Sequence, residues 1–138
     1  MENKVTNENF AHCKHIANVL EAYADGRMYR CPECGAEIED NTLFCECGAE
    51  VDLVNGEWEQ LSVYDFFTDC FDIEYRVDSN KEYRSVSIMI ACGGPNIYID
   101  TAEKAVLLYW WTDRARYYLS SDTVNAVDEW AEEYWNCL

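Results

Sequence analysis

Four cysteines in the first half of the chain have the residue type and the spacing of a metal site. They occur as two pairs, Cys31-Pro-Glu-Cys34-Gly and Cys45-Glu-Cys47-Gly, with nine residues between the first glycine and Cys45. Thiolates bind Zn²⁺ tetrahedrally, and four of them leave no open position for water or substrate. The sequence therefore predicts a structural zinc site with the ligands Cys31, Cys34, Cys45 and Cys47.

The second cysteine pair departs from the usual zinc-ribbon pattern, because one residue separates its cysteines where two are normal. If only Cys45 or Cys47 binds the metal, a histidine is the expected fourth ligand. His12 and His15 are three residues apart and would lie on one face of a predicted helix. At the level of the sequence this alternative stays open.

The predicted metal site lies within an acidic segment. Between Arg30 and Arg76 the chain has thirteen carboxylates and no lysine or arginine. A run of like charge repels itself and is normally disordered. Binding of zinc by four thiolates contributes on the order of 10 kcal/mol of folding free energy. We therefore expect the metal to fold this segment and to fix its carboxylates in place.

Capping and turn residues delimit the elements of the first half of the chain. Thr6 is the predicted cap of a long helix, and Asp25-Gly26 is its predicted stop. Asn55-Gly56 is the commonest signal of a two-residue hairpin turn. Ser62 is the predicted cap of a short helix. The predicted elements are a helix at 7–24, hairpin strands at 50–54 and 57–61, and a short helix at 62–70.

From Phe71 onward the hydrophobic period changes to two, which predicts antiparallel strands joined by short turns. The last segment returns to a helical period, with Ser121 or Asp122 as its predicted cap. The predicted fold class is α+β, with a C-terminal amphipathic helix on a four- to five-stranded antiparallel sheet. The predicted strands are 71–78, 83–92, 97–100, 105–111 and 115–119, and the predicted organisation is a helix-and-ribbon lobe at 1–61 followed by a sheet-and-helix core at 62–138.

The composition restricts the partners that the chain can bind. Ten basic and twenty-seven acidic residues give a net charge of −17. Direct binding to nucleic acid or to an anionic membrane is not expected, because both need lysine and arginine. The expected partner is a basic protein surface.

No signal sequence or membrane-spanning run is recognisable, which predicts a cytoplasmic location and reduced thiols. The four cysteines outside the ribbon are then predicted to act as small buried hydrophobic residues. These are Cys13, Cys70, Cys92 and Cys137.

Catalytic constellations are not recognisable in this sequence. The chain has two histidines, and it has no HExxH, GxSxG or P-loop motif. No carboxylate pair is singled out as an acid–base couple. The sequence therefore predicts a binding protein and not an enzyme.

Carboxylates on predicted rigid elements form the candidate partner-binding surfaces. A folded surface lined with Asp and Glu can occupy the Lys/Arg groove that a nucleic-acid enzyme keeps for its substrate. A surface that served solubility alone would intersperse lysines among the carboxylates. The candidate residues are Asp128, Glu129, Glu132 and Glu133 on the C-terminal helix, Glu57 and Glu59 beside the hairpin turn, and Asp65 and Asp69 on the short helix.

Several segments together resemble a known group of proteins. These segments are Cys31-Pro-Glu-Cys34-Gly, Cys92-Gly-Gly-Pro-Asn-Ile-Tyr-Ile-Asp-Thr101, Leu108-Tyr-Trp-Trp111 and Val127-Asp-Glu-Trp-Ala-Glu-Glu-Tyr-Trp135. The profile resembles zinc-containing type II-A anti-CRISPR proteins, acidic inhibitors of Cas9 from phages and mobile elements of gut and oral Firmicutes. The resemblance carries over no functional residue one by one.

The resemblance implies an inhibitor that acts in a bacterial host cell on Cas9 or on its guide-RNA complex. Cas9 holds its guide–target duplex in a positively charged channel. An acidic protein bound at such a channel would block the loading of target DNA without any chemistry. The alternative is a zinc-ribbon adaptor that docks on transcription or replication machinery, with its acidity incidental.

Overall fold

A computed structural model describes residues 4–138 of the chain. Three helices and eight strands follow one another in an α+β arrangement, as predicted. The helices are α1 Lys4–Ala24, α2 Val63–Phe66 and α3 Ser121–Asn136. The strands are β1 Met28–Arg30, β2 Glu37–Glu39, β3 Glu59–Gln60, β4 Asp72–Val77, β5 Tyr83–Ala91, β6 Asn96–Asp100, β7 Ala105–Trp110 and β8 Asp113–Tyr118.

The last five strands form an antiparallel meander in the order β4-β5-β6-β7-β8. Alternating apolar and polar residues predicted this sheet, because successive side chains of a strand point to opposite faces. The predicted fifth strand is present at Asp113–Tyr118. The four- to five-stranded prediction is therefore confirmed with five strands.

Helices α1 and α3 cover one face of this sheet, and the main core lies between the layers. Inward residues of the strands meet Leu20 of α1 and Val127 of α3, both of which are fully buried. The N-cap of α3 is Ser120, whose Oγ accepts from the Thr123 amide at 3.2 Å. The helix thus starts one residue earlier than predicted. The buried strand residues of this core are Val86, Ile88, Ile97, Ile99, Val106 and Leu108.

A second, smaller sheet has the order β2-β1-β3 and sits against the C-terminal end of α1. Helix α1 ends in a Schellman motif at Gly26, where the Arg27 amide donates to Ala22 O at 2.8 Å. Gly26 has φ +73°, and Gln60 of β3 donates to its carbonyl at 2.8 Å. The predicted stop of the helix is confirmed, and it is also the point where the small sheet joins α1.

Three further sequence predictions about local structure are wrong. Thr6 lies inside α1, so it is not the cap of that helix. The predicted hairpin around Asn55-Gly56 does not form, because the Asp52 carboxylate accepts from the amides of Val54 and Asn55, at 3.1 and 3.0 Å, and closes a turn there. Strand β3 pairs with β1 instead. The short helix spans only Val63–Phe66, although Ser62 caps it as predicted.

Asp100 is a buried carboxylate on the other face of the large sheet. Its side chain is 5% exposed and pairs with Arg76 at 2.7 and 3.0 Å. Burial raises the pKa of Asp100, but Arg76 and the amides of Glu103 and Ala102 outweigh that effect and hold the pKa below its usual value. Stability from this pair is therefore present above the unfolded pKa of about 3.9 and is lost as the pH falls through the lower folded value.

We expect Asp100→Asn to cost about 2 kcal/mol of unfolding free energy at neutral pH, because it removes a charge-assisted pair from a half-exposed arginine. The difference from the unsubstituted protein should shrink below about pH 4, where protonation of Asp100 removes the same charge. Thermal unfolding across pH measures both. A difference that stays constant down to the acid limit would contradict this account.

Candidate metal centre

The four ribbon cysteines come together as one cluster. All four sulfurs lie within 4.8 Å of one another. The Sγ atoms of Cys31 and Cys47 are 3.8 Å apart, and those of Cys34 and Cys45 are 3.5 Å apart. Tetrahedral zinc with Zn–S bonds of ~2.3 Å requires sulfurs ~3.8 Å apart, whereas a disulfide requires ~2.05 Å. The cluster therefore has the dimensions of a metal site and not of two disulfides.

Two short turns hold the cysteines in place, and they close in the same way. The Cys31 amide donates to Ala36 O at 2.8 Å, and the Cys45 amide donates to Ala49 O at 2.9 Å. Each turn has a glycine at positive φ, +80° at Gly35 and +96° at Gly48. A Cβ at either glycine would meet nothing within 4 Å, so the backbone conformation, and not space, requires glycine.

The second cysteine pair has one residue fewer than the first, and the hydrogen bond inside its turn spans one residue fewer. The Gly35 amide donates to the carbonyl four residues before it, Cys31 O, at 2.9 Å. The Gly48 amide donates to the carbonyl three residues before it, Cys45 O, at 2.8 Å. The shorter turn still brings Cys47 to the cluster. Both cysteines of the second pair therefore belong to the candidate site.

The thiols of the cluster differ in how readily they ionise. Burial raises the pKa of Cys31, but the amides of Cys34 and Glu33 and the neighbouring thiols lower it to about 7. The Ala36 amide lowers the pKa of Cys34, but the neighbouring thiols and burial together raise it to about 12. Four thiolates repel one another without a cation. A divalent metal ion supplies the charge that lets all four ionise.

The histidine alternative is not supported by the structure. His12 and His15 are exposed on α1, and the cluster found among residues 4–138 contains the four cysteines alone. The prediction for the other four cysteines is correct for Cys13, which is fully buried. It is wrong for Cys92 and Cys137, which are exposed in a loop and at the end of α3, while Cys70 is half-buried.

A cleft of about 660 Å³ opens beside the cysteine cluster. Trp58 forms part of its wall and lies close over Gly56, where a Cβ would meet the indole at 2.8 Å and Asp52 O at 2.5 Å. The glycine is thus required for the loop to pass under the tryptophan. The carboxylates that line this cleft are Glu33, Glu50, Asp52 and Glu57.

Two of the predicted partner-binding carboxylates pair within the chain. Arg30 lies 2.9 Å from Glu59, 3.6 Å from Asp65 and 3.2 Å from Glu37. The Asp65 carboxylate also accepts from the Ser62 amide at 2.9 Å and completes the capping box of α2. Glu59 and Asp65 therefore stabilise the fold through contacts within the chain. The sequence missed this because Arg30 stands just outside the acidic segment and reaches it only after β1 pairs with β2 and β3.

Glu37 lies close to other carboxylates. Burial, followed by the nearby Asp65 and Asp69, raises the pKa of Glu37. Tyr23 donates its hydroxyl hydrogen to Glu37. Asp69 and Glu57 have no ion pair within the part of the chain that the structure describes.

Helix α3 presents its four predicted carboxylates in different environments. Tyr83 donates to Asp128 at 2.6 Å, and its burial and this carboxylate raise the pKa of the phenol. Tyr64 donates to Glu133, which ties α2 to α3. Glu129 and Glu132 are exposed and make no ion pair with the described residues. Glu129 and Glu133 also border a cavity of about 240 Å³ beside Tyr64 and Trp130.

Comparisons with known proteins identify no relative of this chain. No protein-family model matches it, and neither the curated proteins nor the solved structures contain a significant match. Among the helices of residues 4–138, none combines the length and the hydropathy that crossing a bilayer requires.

Proposed function

We propose that this chain is an acidic, zinc-stabilised inhibitor protein that binds a cationic surface of a nucleic-acid enzyme. In this proposal Zn²⁺ is held by Cys31, Cys34, Cys45 and Cys47 and supplies folding free energy, with no open position for chemistry. The four-thiolate donor set favours zinc among the divalent metals available to such a site.

The observation that carries the proposal is the grouping of carboxylates beside the cysteine cluster. Glu33, Glu50, Asp52 and Glu57 line one cleft, and none of them has an ion pair within the described part of the chain. Arg30, which precedes Cys31 of the cluster, is already paired with Glu37, Glu59 and Asp65. A concave surface with uncompensated negative charge favours a partner that brings lysine or arginine side chains.

Cas9 is the enzyme that the sequence resemblance selects for testing. Its guide–target duplex occupies a positively charged channel. A rigid acidic surface bound there would occupy the phosphate-binding side chains and prevent DNA from entering. Glu129 and Glu132 of α3 offer a second exposed acidic surface that could make the same contacts.

We expect charge reversal to weaken inhibition of target cleavage. Glu50→Lys with Glu57→Lys tests the ribbon cleft, and Glu129→Lys with Glu132→Lys tests α3. Whichever pair contacts the enzyme should lose about tenfold or more in affinity, because a repulsive contact replaces an attractive one. Cas9–guide binding by biolayer interferometry and target cleavage measure the effect.

The matched control is Glu8→Lys, which makes the same change at an exposed position of α1. It should leave inhibition unchanged. Zinc content and thermal unfolding of every variant establish that it is folded. If both reversed pairs inhibit Cas9 as well as the unsubstituted chain does, or if the chain does not bind Cas9, the proposal for this enzyme is wrong.

A zinc-ribbon adaptor for transcription or replication machinery remains the rival function. The exposed side chains of Leu43 and Phe44 in the ribbon favour it, since apolar docking would use such residues. The dependence of binding affinity on ionic strength distinguishes the inhibitor from the adaptor. Binding through carboxylates weakens steeply as salt rises, whereas apolar docking does not.

A further inference from the structure

The face of the large sheet turned away from α1 and α3 has an ordered pattern of charge. Strand register places five side chains in one row across the sheet, from Asp72 on β4 to Arg116 on β8. Apolar residues fill the middle of the row. Its members, in order, are Asp72, Met89, Tyr98, Leu107 and Arg116.

A second row runs beside the first and shares only its acidic end. It begins with Glu74 on β4 and ends with the uncharged Tyr118 on β8, two residues from Arg116 on the same face. Arg114, opposite Tyr109, adds a second basic residue to the β8 edge. The one carboxylate at its centre, Asp100, is neutralised by Arg76. This face, which we call the open face, therefore has an acidic edge at β4, a neutral centre and a basic edge at β8.

We propose that the open face binds the same face of a second copy of this chain, about a two-fold axis parallel to β6. Such a rotation reverses each row on its partner. Asp72 of one copy then lies opposite Arg116 of the other, and Met89 lies opposite Leu107. Tyr98, at the middle of the row, meets its own copy. The surface is self-complementary, as a two-fold interface requires.

Charge selects this axis over the other way of stacking two sheets with their strands aligned. A two-fold axis across the strands would place β4 over β4 and β8 over β8. The acidic edge of one copy would then lie over the acidic edge of the other, and the two arginines of β8 would lie over the partner's β8 arginines. The axis parallel to β6 brings unlike charges together at both edges and gives the aligned packing that is common between antiparallel sheets.

Several of the charged groups have no salt-bridge partner among the described residues, although Asp100 and the nearby Glu74 both raise the pKa of the Arg76 guanidinium. Asp72, Glu74 and Arg114 make no ion pair with any residue of the described range 4–138. Arg116 has Glu103 at 2.8 Å, but its side chain is 43% exposed. Aromatic side chains also remain exposed on this face, 40% for Tyr109 and 65% for Tyr118. A second copy would cover these aromatics and pair the open charges.

The open face has the size of a small interface. Five strands ~4.8 Å apart and about five residues at ~3.3 Å give a face of about 24 by 17 Å, or about 800 Å² over two copies before surface relief is counted. Specific interfaces begin at about 1,000 Å². The net charge of −17 opposes association, although salt screens it beyond about 8 Å. We therefore expect a dimer in the micromolar range of dissociation constants.

Charge exchange between two variants tests the arrangement. Arg116→Glu places two like-charged pairs in its own homodimer, and so does Asp72→Arg. Each variant alone should self-associate at least about tenfold more weakly than the unsubstituted chain. Mixing them in equal amounts restores both unlike pairs, since the two introduced side chains meet each other and the native Asp72 meets the native Arg116. Sedimentation velocity measures the association, and native mass spectrometry identifies the heterodimer.

The matched control is Lys14→Glu, which makes a similar charge change on α1, on the opposite side of the sheet. It should dimerise as the unsubstituted chain does. Zinc content and thermal unfolding show that each variant is folded, and restoration on mixing itself requires folded chains. The proposal is overturned if the unsubstituted chain is monomeric up to sub-millimolar concentration. It is equally overturned if the single variants dimerise normally or if the mixture yields no heterodimer.

Discussion

Replacing Cys31 with serine is expected to abolish tight metal binding and to unfold the ribbon while the five-stranded sheet stays folded. Cys31 is 2% exposed and follows directly after β1, so its sulfur links the small sheet to the cluster. Metal binding by four thiolates contributes on the order of 10 kcal/mol of folding free energy. The core of the acidic ribbon is too small to make up for that loss. Removal of the metal by a chelator should have the same effect.

Hydrogen exchange and metal analysis measure this prediction. Amides of β1 and β2 should lose protection in Cys31→Ser, whereas those of β5 to β7 should keep it. Cys137→Ser is the matched control, because that exposed cysteine lies outside the cluster. A ribbon that keeps its protection after serine replacement and after chelation would show that the metal does not fold it.

Replacing Trp130 with alanine should destabilise the whole chain by about 3–5 kcal/mol. Trp130 is 6% exposed and stacks on Phe67 with ring centroids 4.6 Å apart. It also meets Tyr64 edge-on at 6.4 Å. These contacts join α3 to α2 and to the segment after it. The variant should therefore loosen the helix that carries Glu129 and Glu132, in addition to leaving a cavity.

Denaturant unfolding at a fixed zinc concentration gives the free energy. The matched control is Trp111→Ala, the same substitution at a side chain that is 87% exposed. It should change stability by about 0.5 kcal/mol or less. If the two tryptophan variants cost the same, the packing of α3 on α2 contributes less than the structure indicates.

The large sheet and α3 were predictable because both follow from periodicity over many residues. The small sheet was not. Strands β1 and β2 have three residues each, too few to show an alternation. The Asn55-Gly56 signal failed because a local competitor, the Asp52 carboxylate, holds the loop, and because β3 finds its partner in β1, some thirty residues earlier. Long-range pairing of this kind leaves no local mark.

The four cysteines of the candidate metal site were predictable from their type and spacing, although the short second pair left a histidine ligand open until the fold brought all four sulfurs together. Which carboxylates stay available to a partner was not predictable from the sequence. Whether an acidic side chain is available to a partner depends on which basic or phenolic group the fold brings to it, as Arg30 does for Asp65 and Tyr83 does for Asp128. Cys92 and Cys137 show the same limit, because apolar residues near them in the sequence do not bury them in the fold.

The two cysteine turns differ in length yet end in the same Gly-Ala-Glu tripeptide and share one amide-to-carbonyl closure. The closure, and not the count of residues between the sulfurs, is what the two turns have in common. A cysteine turn of this kind can therefore be one residue shorter and still bring its second cysteine to the metal site, provided that a glycine follows that cysteine. Designers who wish to shorten a metal-binding finger can use this tolerance, and pattern searches that insist on one fixed gap would overlook half of this site.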